Sequence, residues 1–239
     1  MLFRSEVTEE HHDGITVTRV KVWSEEGERI MGKAKGNYIT IEAPGLRRRN
    51  WGLQQDVGNI LSREVRALFS KGQEPQSYLV VGLGNWRATA DSLGPRVARH
   101  ILVTRHLREY VPEDIKGKLK AVSAIAPGVL GITGIETGEI VLGIVEKARP
   151  DAVIAIDALA ARSVDRITTT VQLADTGIHP GSGVGNKRPG LTRETLGVPV
   201  LAIGIPTVVH ALTIADNALE AVSESNAMPA NLRQCLDNL

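Results

Sequence analysis

The chain has 239 residues, and its 28 Lys and Arg against 27 Asp and Glu leave a formal charge of +1. That length suits one α/β domain with a sizeable core, and scattered, balanced charges argue against a nucleic-acid-binding stripe. No apolar run approaches a membrane span, the first residues lack a cationic start and apolar h-region, and the single Cys235 can form neither an intrachain disulfide nor a cysteine metal site. A cytoplasmic protein that binds neither membrane nor nucleic acid is therefore expected.

Taken in chain order, residues 14–23 place Ile15, Thr16, Val17, Thr18, Val20 and Val22 in a period near two, and Tyr38-Ile39-Thr40-Ile41-Glu42 repeats it. These predict an N-terminal hairpin or meander within 14–43, joined by the polar run 24–35. From 53 to 69, Val57, Ile60, Leu61, Val65 and Leu68 recur at helical spacing. Strands are then predicted at 77–81, 121–125, 152–156 and 198–205, alternating with helices at 91–107, 139–148 and 207–222. The alternation predicts right-handed βαβ crossovers, hence an α/β fold with a mainly parallel sheet and helices on both faces, in a single domain over 1–239. Three glycine-rich pieces, 82–84, 128–138 and 177–190, each follow a predicted or plausible strand and are expected to gather at one rim of the sheet.

Two strands lead to an acid. Val80-Val81 runs into Gly82-Leu83-Gly84 and then delivers Asp91 at a predicted helix start, while Ala152-Val153-Ile154-Ala155-Ile156 ends on Asp157 before the helix-favouring Ala158-Leu159-Ala160-Ala161-Arg162. Ligands of open α/β sheets bind outside the carboxyl ends of the strands, so the two acids are expected to face each other across a cleft. Paired carboxylates cannot both ionise cheaply; they share a proton, one acting as base towards water and the other as acid towards the scissile group. The competing reading is that each aspartate caps the helix after it.

Gly82-Leu83-Gly84-Asn85 invites a phosphate-binding reading, but Arg87 stands where a third fingerprint glycine would be and no Walker lysine follows. Gly84 and Asn85 are read instead as substrate-binding candidates whose turn passes close to Asp91 and leaves amides to polarise a peptide carbonyl. The long loop from Gly177 to Arg188 is a second candidate for substrate contact. In it His179, Lys187 and Arg188 are singled out, the two cations as partners for acidic side chains of a peptide or as a plain solvated basic loop. Glu136 lines the same rim or caps the helix near Glu139. The triplet Asp175-Thr176-Gly177 occurs once, in a loop, and is read as a coincidence with the pepsin-like motif. His100, His106, His179 and His210 show no HxxxH or HExxH spacing, so no metal or other cofactor is expected.

Five blocks in order carry a resemblance. They are residues 82–95, Leu102-Val103-Thr104-Arg105-His106-Leu107, residues 123–138, residues 154–163, and residues 175–188. Together they resemble the germination protease (spore protease) family of endospore-forming bacteria over about residues 16–217. The resemblance implies an endopeptidase that degrades small acid-soluble spore proteins at germination, with its catalytic aspartates at Asp91 and Asp157. It also implies a homotetramer in the spore core and a fold related to the hydrogenase maturation peptidases. In those peptidases acids at corresponding strand ends and a histidine hold a metal. A metal-dependent maturation-type peptidase using Asp91, Asp157 and one histidine is thus one alternative, and a shortened, inactive regulator is another. The tail is shorter than in the family, and the chain begins near the start of the mature enzymes, so no inhibitory pro-segment of a zymogen is evident.

Overall fold

The computed structural model describes residues 5–48, 50–70, 72, 74–116, 118–179, 190–215 and 217. Three antiparallel strands come first: β1 (Ser5–His12), β2 (Ile15–Val22) and β3 (Gly36–Glu42). The β2–β3 hairpin forms within 14–43 as the alternation predicts, because Ile15, Val17, Ile39 and Ile41 all point to one buried face, whereas β1 precedes that span and its polar, mostly exposed sequence does not announce it. The polar run between β2 and β3 is not a plain connector. It forms α1 (Glu25–Met31), started by the Ser24 side chain accepting from the Gly27 N–H and ended by Gly32 in the left-handed region at φ 61°. Three glutamates occupy its first turn, where the helix dipole favours them.

Next comes α2 (Trp51–Phe69), which lays Val57 and Ile60 on the inner face of β2 and β3. Glu64 of this helix is buried and satisfied by Arg19 of β2, whose Nε and Nη2 donate to its two oxygens at 2.8 and 2.6 Å. The remaining strands are β4 (Ser77–Gly82), β5 (Ala121–Ile125), β6 (Ala152–Ala161), β7 (Thr170–Ala174) and β8 (Val200–Val209). The helices are α3 (Leu93–His100), α4 (Glu113–Lys116), α5 (Leu130–Thr133), α6 (Thr137–Ala148) and α7 (Arg193–Leu196).

The strands of the described residues join one 8-stranded sheet in the order β1-β2-β3-β7-β8-β6-β4-β5. The pairs β8–β6, β6–β4 and β4–β5 are parallel, and only β2 and β7 run against the common direction. Residues alternate between the two faces, so Leu201 packs with α2 while Val200, Val153 and Ala155 pack with Val141 and Val145 of α6 and Leu196 of α7. Helices therefore cover both faces, as the α/β reading expects.

Three sequence-derived boundaries are corrected. β6 does not stop before Asp157 but continues to Ala161, because β8 is long enough to pair with all of it. β8 likewise carries Thr207, Val208 and Val209, which the sequence assigns to a helix; helical backbone begins only at 211. Of the helix predicted over 91–107, only α3 is α-helical, and a separate 3-10 turn forms at Arg105–Leu107. α3 ends at Ile101 so that Thr104 can seal β5, donating its N–H to the Val122 carbonyl at 2.9 Å and accepting the Val122 N–H on its hydroxyl at 2.9 Å. No helix among the described residues is long and apolar enough to cross a membrane.

Candidate active site

β4 ends at Gly82, opposite Ile156 of β6. The last rung between the two strands is the Leu83 N–H donating to the Ile156 carbonyl at 2.8 Å. Asp157 is the next residue, so on the β4 side it stands just past the end of the ladder while on the other side it still pairs with Gly204 of β8. That position aims a carboxylate at the notch where β4 turns away. Only 8% of Asp157 is exposed. Burial pushes its carboxyl up from the ordinary 3.8 to about 7; the charge of Asp91 adds to the rise and the hydrogen bond from the Ala158 N–H opposes it.

Asp91 arrives from the loop that follows β4. It closes a short 3-10 turn, Thr89–Asp91, and its Oδ2 accepts the Asn85 N–H at 2.8 Å. The Asn85 side chain accepts the Arg87 N–H at 2.9 Å, which ties the same loop from inside. Close approach of backbone holds this loop on the strand ends. A Cβ on Gly84, whose φ is +114°, would lie 2.1 Å from the Asp91 carbonyl oxygen. One on Gly94, in the first turn of α3, would lie 2.2 Å from the Leu83 oxygen and 2.5 Å from the Ile156 oxygen. Glycine at these places lets the start of α3 and the Asp91 loop sit directly on the β4–β6 junction.

The helix-cap reading fails for both acids. β6 continues after Asp157, so there is no helix there to cap. The N-cap position of α3 belongs to Ser92, whose hydroxyl donates to the Thr89 carbonyl at 2.9 Å and accepts from Arg96 Nε at 3.0 Å. Each carboxylate instead gives one oxygen to a backbone N–H, of Asn85 or of Ala158. Its second oxygen takes no protein hydrogen bond among the described residues.

The Asn85 amide is not open to a substrate carbonyl, contrary to the sequence reading, because Asp91 turns back to accept it; the Leu83 amide is taken by Ile156. Gly84 is buried and packs on Asp91. His179 is exposed and lies against Gly190, where a Cβ would come within 2.5 Å of its ring. The loop bearing it is pinned at its base by paired hydrogen bonds between Ile178 and Leu191 at 3.0 and 2.7 Å. Lys187 and Arg188 lie outside the described residues.

The expected gathering of all three glycine-rich loops at one rim is corrected at its start. β7 runs against β8, with Ala174 opposite Ala202 and Gln172 opposite Gly204, so residue 175 leaves the sheet at the end where β6 and β8 begin. Asp175 there binds the Asn37 N–H at 2.7 Å, a structural tie between β7 and β3. Glu136 occupies the N-cap position of α6 without a side-chain cap bond. Among the described residues no group of three or more His, Cys, Asp or Glu converges as metal ligands would, and His100 Nδ1 sits 2.7 Å from the Arg96 carbonyl on α3.

One acid is buried on β6 and the other half-buried on the loop after β4, and the charge of the second adds to the rise of the first. Compared with known proteins, residues 4–226 match the germination protease family. The chain belongs to that family. A germination protease of Caldanaerobacter subterraneus subsp. tengcongensis is 50% identical over 237 residues, covering 98% of this chain and 73% of the relative. Germination proteases of Bacillus cereus ATCC 10987 and of Bacillus anthracis CDC 684 are 51% and 50% identical, each over 218 residues, and this chain spans 59% of their length. Among solved structures, the NiFe hydrogenase maturation protease HycI of Thermococcus kodakarensis KOD1 aligns with a TM-score of 0.34 and 18% identity, covering 64% of this chain and 93% of that one.

The Asp91 and Asp157 of the sequence reading lie on the loop after β4 and on β6, with the charge of Asp91 among the causes that raise the Asp157 carboxyl.

Proposed function

We propose that this member of the germination protease family is an endopeptidase that degrades small acid-soluble spore proteins during germination, with water attack assisted by Asp91 and Asp157. The observation that carries the reading is the buried carboxyl of Asp157, raised to about 7 beside the charge of Asp91. Near neutral pH such a pair holds one proton between two carboxyls, which is the protonation state that acid–base hydrolysis needs.

In this mechanism Asp157, the more buried partner, carries the proton and donates it to the oxygen of the scissile carbonyl. Asp91, half-buried and reached from the loop, acts as base towards the attacking water. The water's proton passes to Asp91 as its oxygen bonds to the carbonyl carbon and Asp157 protonates the carbonyl oxygen; the C–N bond then breaks as Asp91 gives its proton to the amine and Asp157 recovers one from a hydroxyl of the intermediate. The backbone N–H on each carboxylate fixes its orientation and leaves its other oxygen for this transfer.

The deciding experiment incubates the purified chain with a small acid-soluble spore protein and identifies fragments by mass spectrometry. Discrete internal cleavage, lost in Asp91→Asn and in Asp157→Asn variants that still fold, supports the reading. Cleavage at the wild-type rate by either variant removes it.

A further inference from the structure

We propose that Thr207 is a positioning residue for Asp91, holding against the sheet the turn that sets this carboxylate beside Asp157; the inference rests on the aspartate-pair reading above. β6 and β8 pair in step from Val153 with Val200 to Leu159 with Pro206. The register then slips, Ala160 pairs with Val208, and Thr207 is left as the unmatched residue of a β-bulge. A bulge bends its strand and re-aims the side chain at the insertion, and bulges concentrate next to active sites.

The re-aimed hydroxyl has a definite target. Thr207 Oγ1 donates to the Ala90 carbonyl at 2.6 Å, on the residue immediately before Asp91. The other backbone bonds of that turn are local: the Asp91 N–H reaches the Ala88 carbonyl at 2.9 Å and the Ser92 N–H reaches the Thr89 carbonyl at 3.4 Å. Among the described residues, the Thr207 bond is what joins the turn to the sheet by a hydrogen bond. Asp157 needs no such tether, because β6 itself carries it.

The bulge is also held from its far side. Thr168 has φ of 61°, a region β-branched residues rarely enter, and its N–H donates to the Pro206 carbonyl at 2.8 Å. Backbone strain of this kind persists where the surroundings over-determine it, and it clusters at functional sites. A continuous line of contacts therefore runs from Thr168 through Pro206 and Thr207 to Ala90 and Asp91.

Loss of the hydroxyl should loosen Asp91 while leaving substrate contacts in place. Thr207→Val, nearly the same shape, is expected to lower kcat on a small acid-soluble spore protein by about 10- to 100-fold, the scale of a slightly misplaced catalytic group. KM should stay within about twofold, and Thr207→Ser should restore kcat to within about threefold, since it keeps the donor. Asp91→Asn and Asp157→Asn are run in the same assay. If both are inactive and Thr207→Val keeps wild-type kcat, the positioning role alone is overturned; if both retain activity, the aspartate-pair reading fails and this inference falls with it. Where the valine variant does not fold, Thr207→Cys decides, with its weak donor expected to give a kcat well below that of Thr207→Ser, and equal values overturning the role.

Discussion

The Leu83 N–H bound to the Ile156 carbonyl at 2.8 Å is the last rung between β4 and β6, and it makes Asp157 the first residue beyond that ladder. A single step earlier along β6 would put the carboxylate inside a fully paired strand, and the alternation of side chains would turn it to the other face. The site thus depends on where β4 stops as much as on the acid itself.

Asp157 makes stability depend on pH in an unusual sense for a carboxylate. Its carboxyl is raised from 3.8 to about 7, so the native state binds the proton more tightly than the unfolded chain does. The resulting stabilisation is complete below 3.8 and is lost as pH rises through about 7. Asp157→Asn has no charge to bury, so relative to wild type it should gain stability with rising pH, up to about 4 kcal/mol at 1.36 kcal/mol per pH unit. Denaturant unfolding at pH 4 and pH 8 measures this; an equal difference between the two proteins at both pH values contradicts it.

Asp91→Asn should lower the carboxyl of Asp157 towards its ordinary range, because one of the two causes that raise it is the Asp91 charge. Burial remains, so the return is partial. Carboxyl-selective NMR titration reads it directly. In the kinetic assay the two aspartates should behave as one unit, the double variant being barely slower than either single one. Additive losses would mean that they act separately.

Gly94→Ala tests the close approach that seats the site. The new Cβ would lie 2.2 Å from the Leu83 oxygen and 2.5 Å from both the Leu83 nitrogen and the Ile156 oxygen, all of them backbone atoms that cannot swing aside. α3 must therefore lift from the β4–β6 junction. A destabilisation of roughly 1–3 kcal/mol is expected, typical of overpacking, together with loss of activity. A variant with wild-type melting temperature and rate would show that this approach does not matter.

Much of this arrangement is legible in the sequence. The β2–β3 hairpin announces itself through Ile15, Val17, Ile39 and Ile41, and β4, β5 and the start of β6 through short apolar runs. Hydrophobic period does not reveal where a strand stops when a neighbour prolongs it. Ala158-Leu159-Ala160-Ala161 favours a helix locally, yet β8 offers it a partner and the ladder wins. Thr207 to Val209 is the matching case on β8. α1 is missed for the opposite reason, since its helix rests on Ser24, acidic residues in the first turn and Gly32 rather than on an apolar stripe. Asp91 and Asp157 stand out in the sequence because each follows a strand; that Asp91 bonds to Asn85 instead of capping α3 is a loop geometry that spacing does not encode.

Glu64→Gln addresses the ion cluster that supports the sheet away from the site. Glu64 is buried on α2, and its two oxygens receive Arg19 Nε and Nη2 at 2.8 and 2.6 Å, with Arg63 Nε on one of them at 3.1 Å. Arg19 also reaches Glu10 of β1 at 2.6 Å, so one guanidinium links β1, β2 and α2. The hydrogen bond from Arg19 is the largest cause holding the Glu64 carboxyl below its usual 4.5, outweighing burial. A carboxyl lowered in the native state contributes stability above its unfolded value, and that contribution is lost as pH falls through the folded one. Wild type should therefore lose this stabilisation on acidification below 4.5, in the opposite sense to Asp157. The glutamine keeps the shape but leaves Arg19, part-buried and still held by Glu10, with one carboxylate fewer, and losing a charged hydrogen bond of this kind costs about 1.5–3 kcal/mol. Glu64→Gln should thus unfold at lower denaturant at pH 7, and the gap to wild type should narrow at pH 3. Because the cluster lies on β1, β2 and α2 and the acids lie on β6 and the loop after β4, kcat at a temperature where both proteins are folded should stay within about twofold, as for sites without shared partners. A variant as stable as wild type at pH 7 would contradict the assignment of this cluster as a brace.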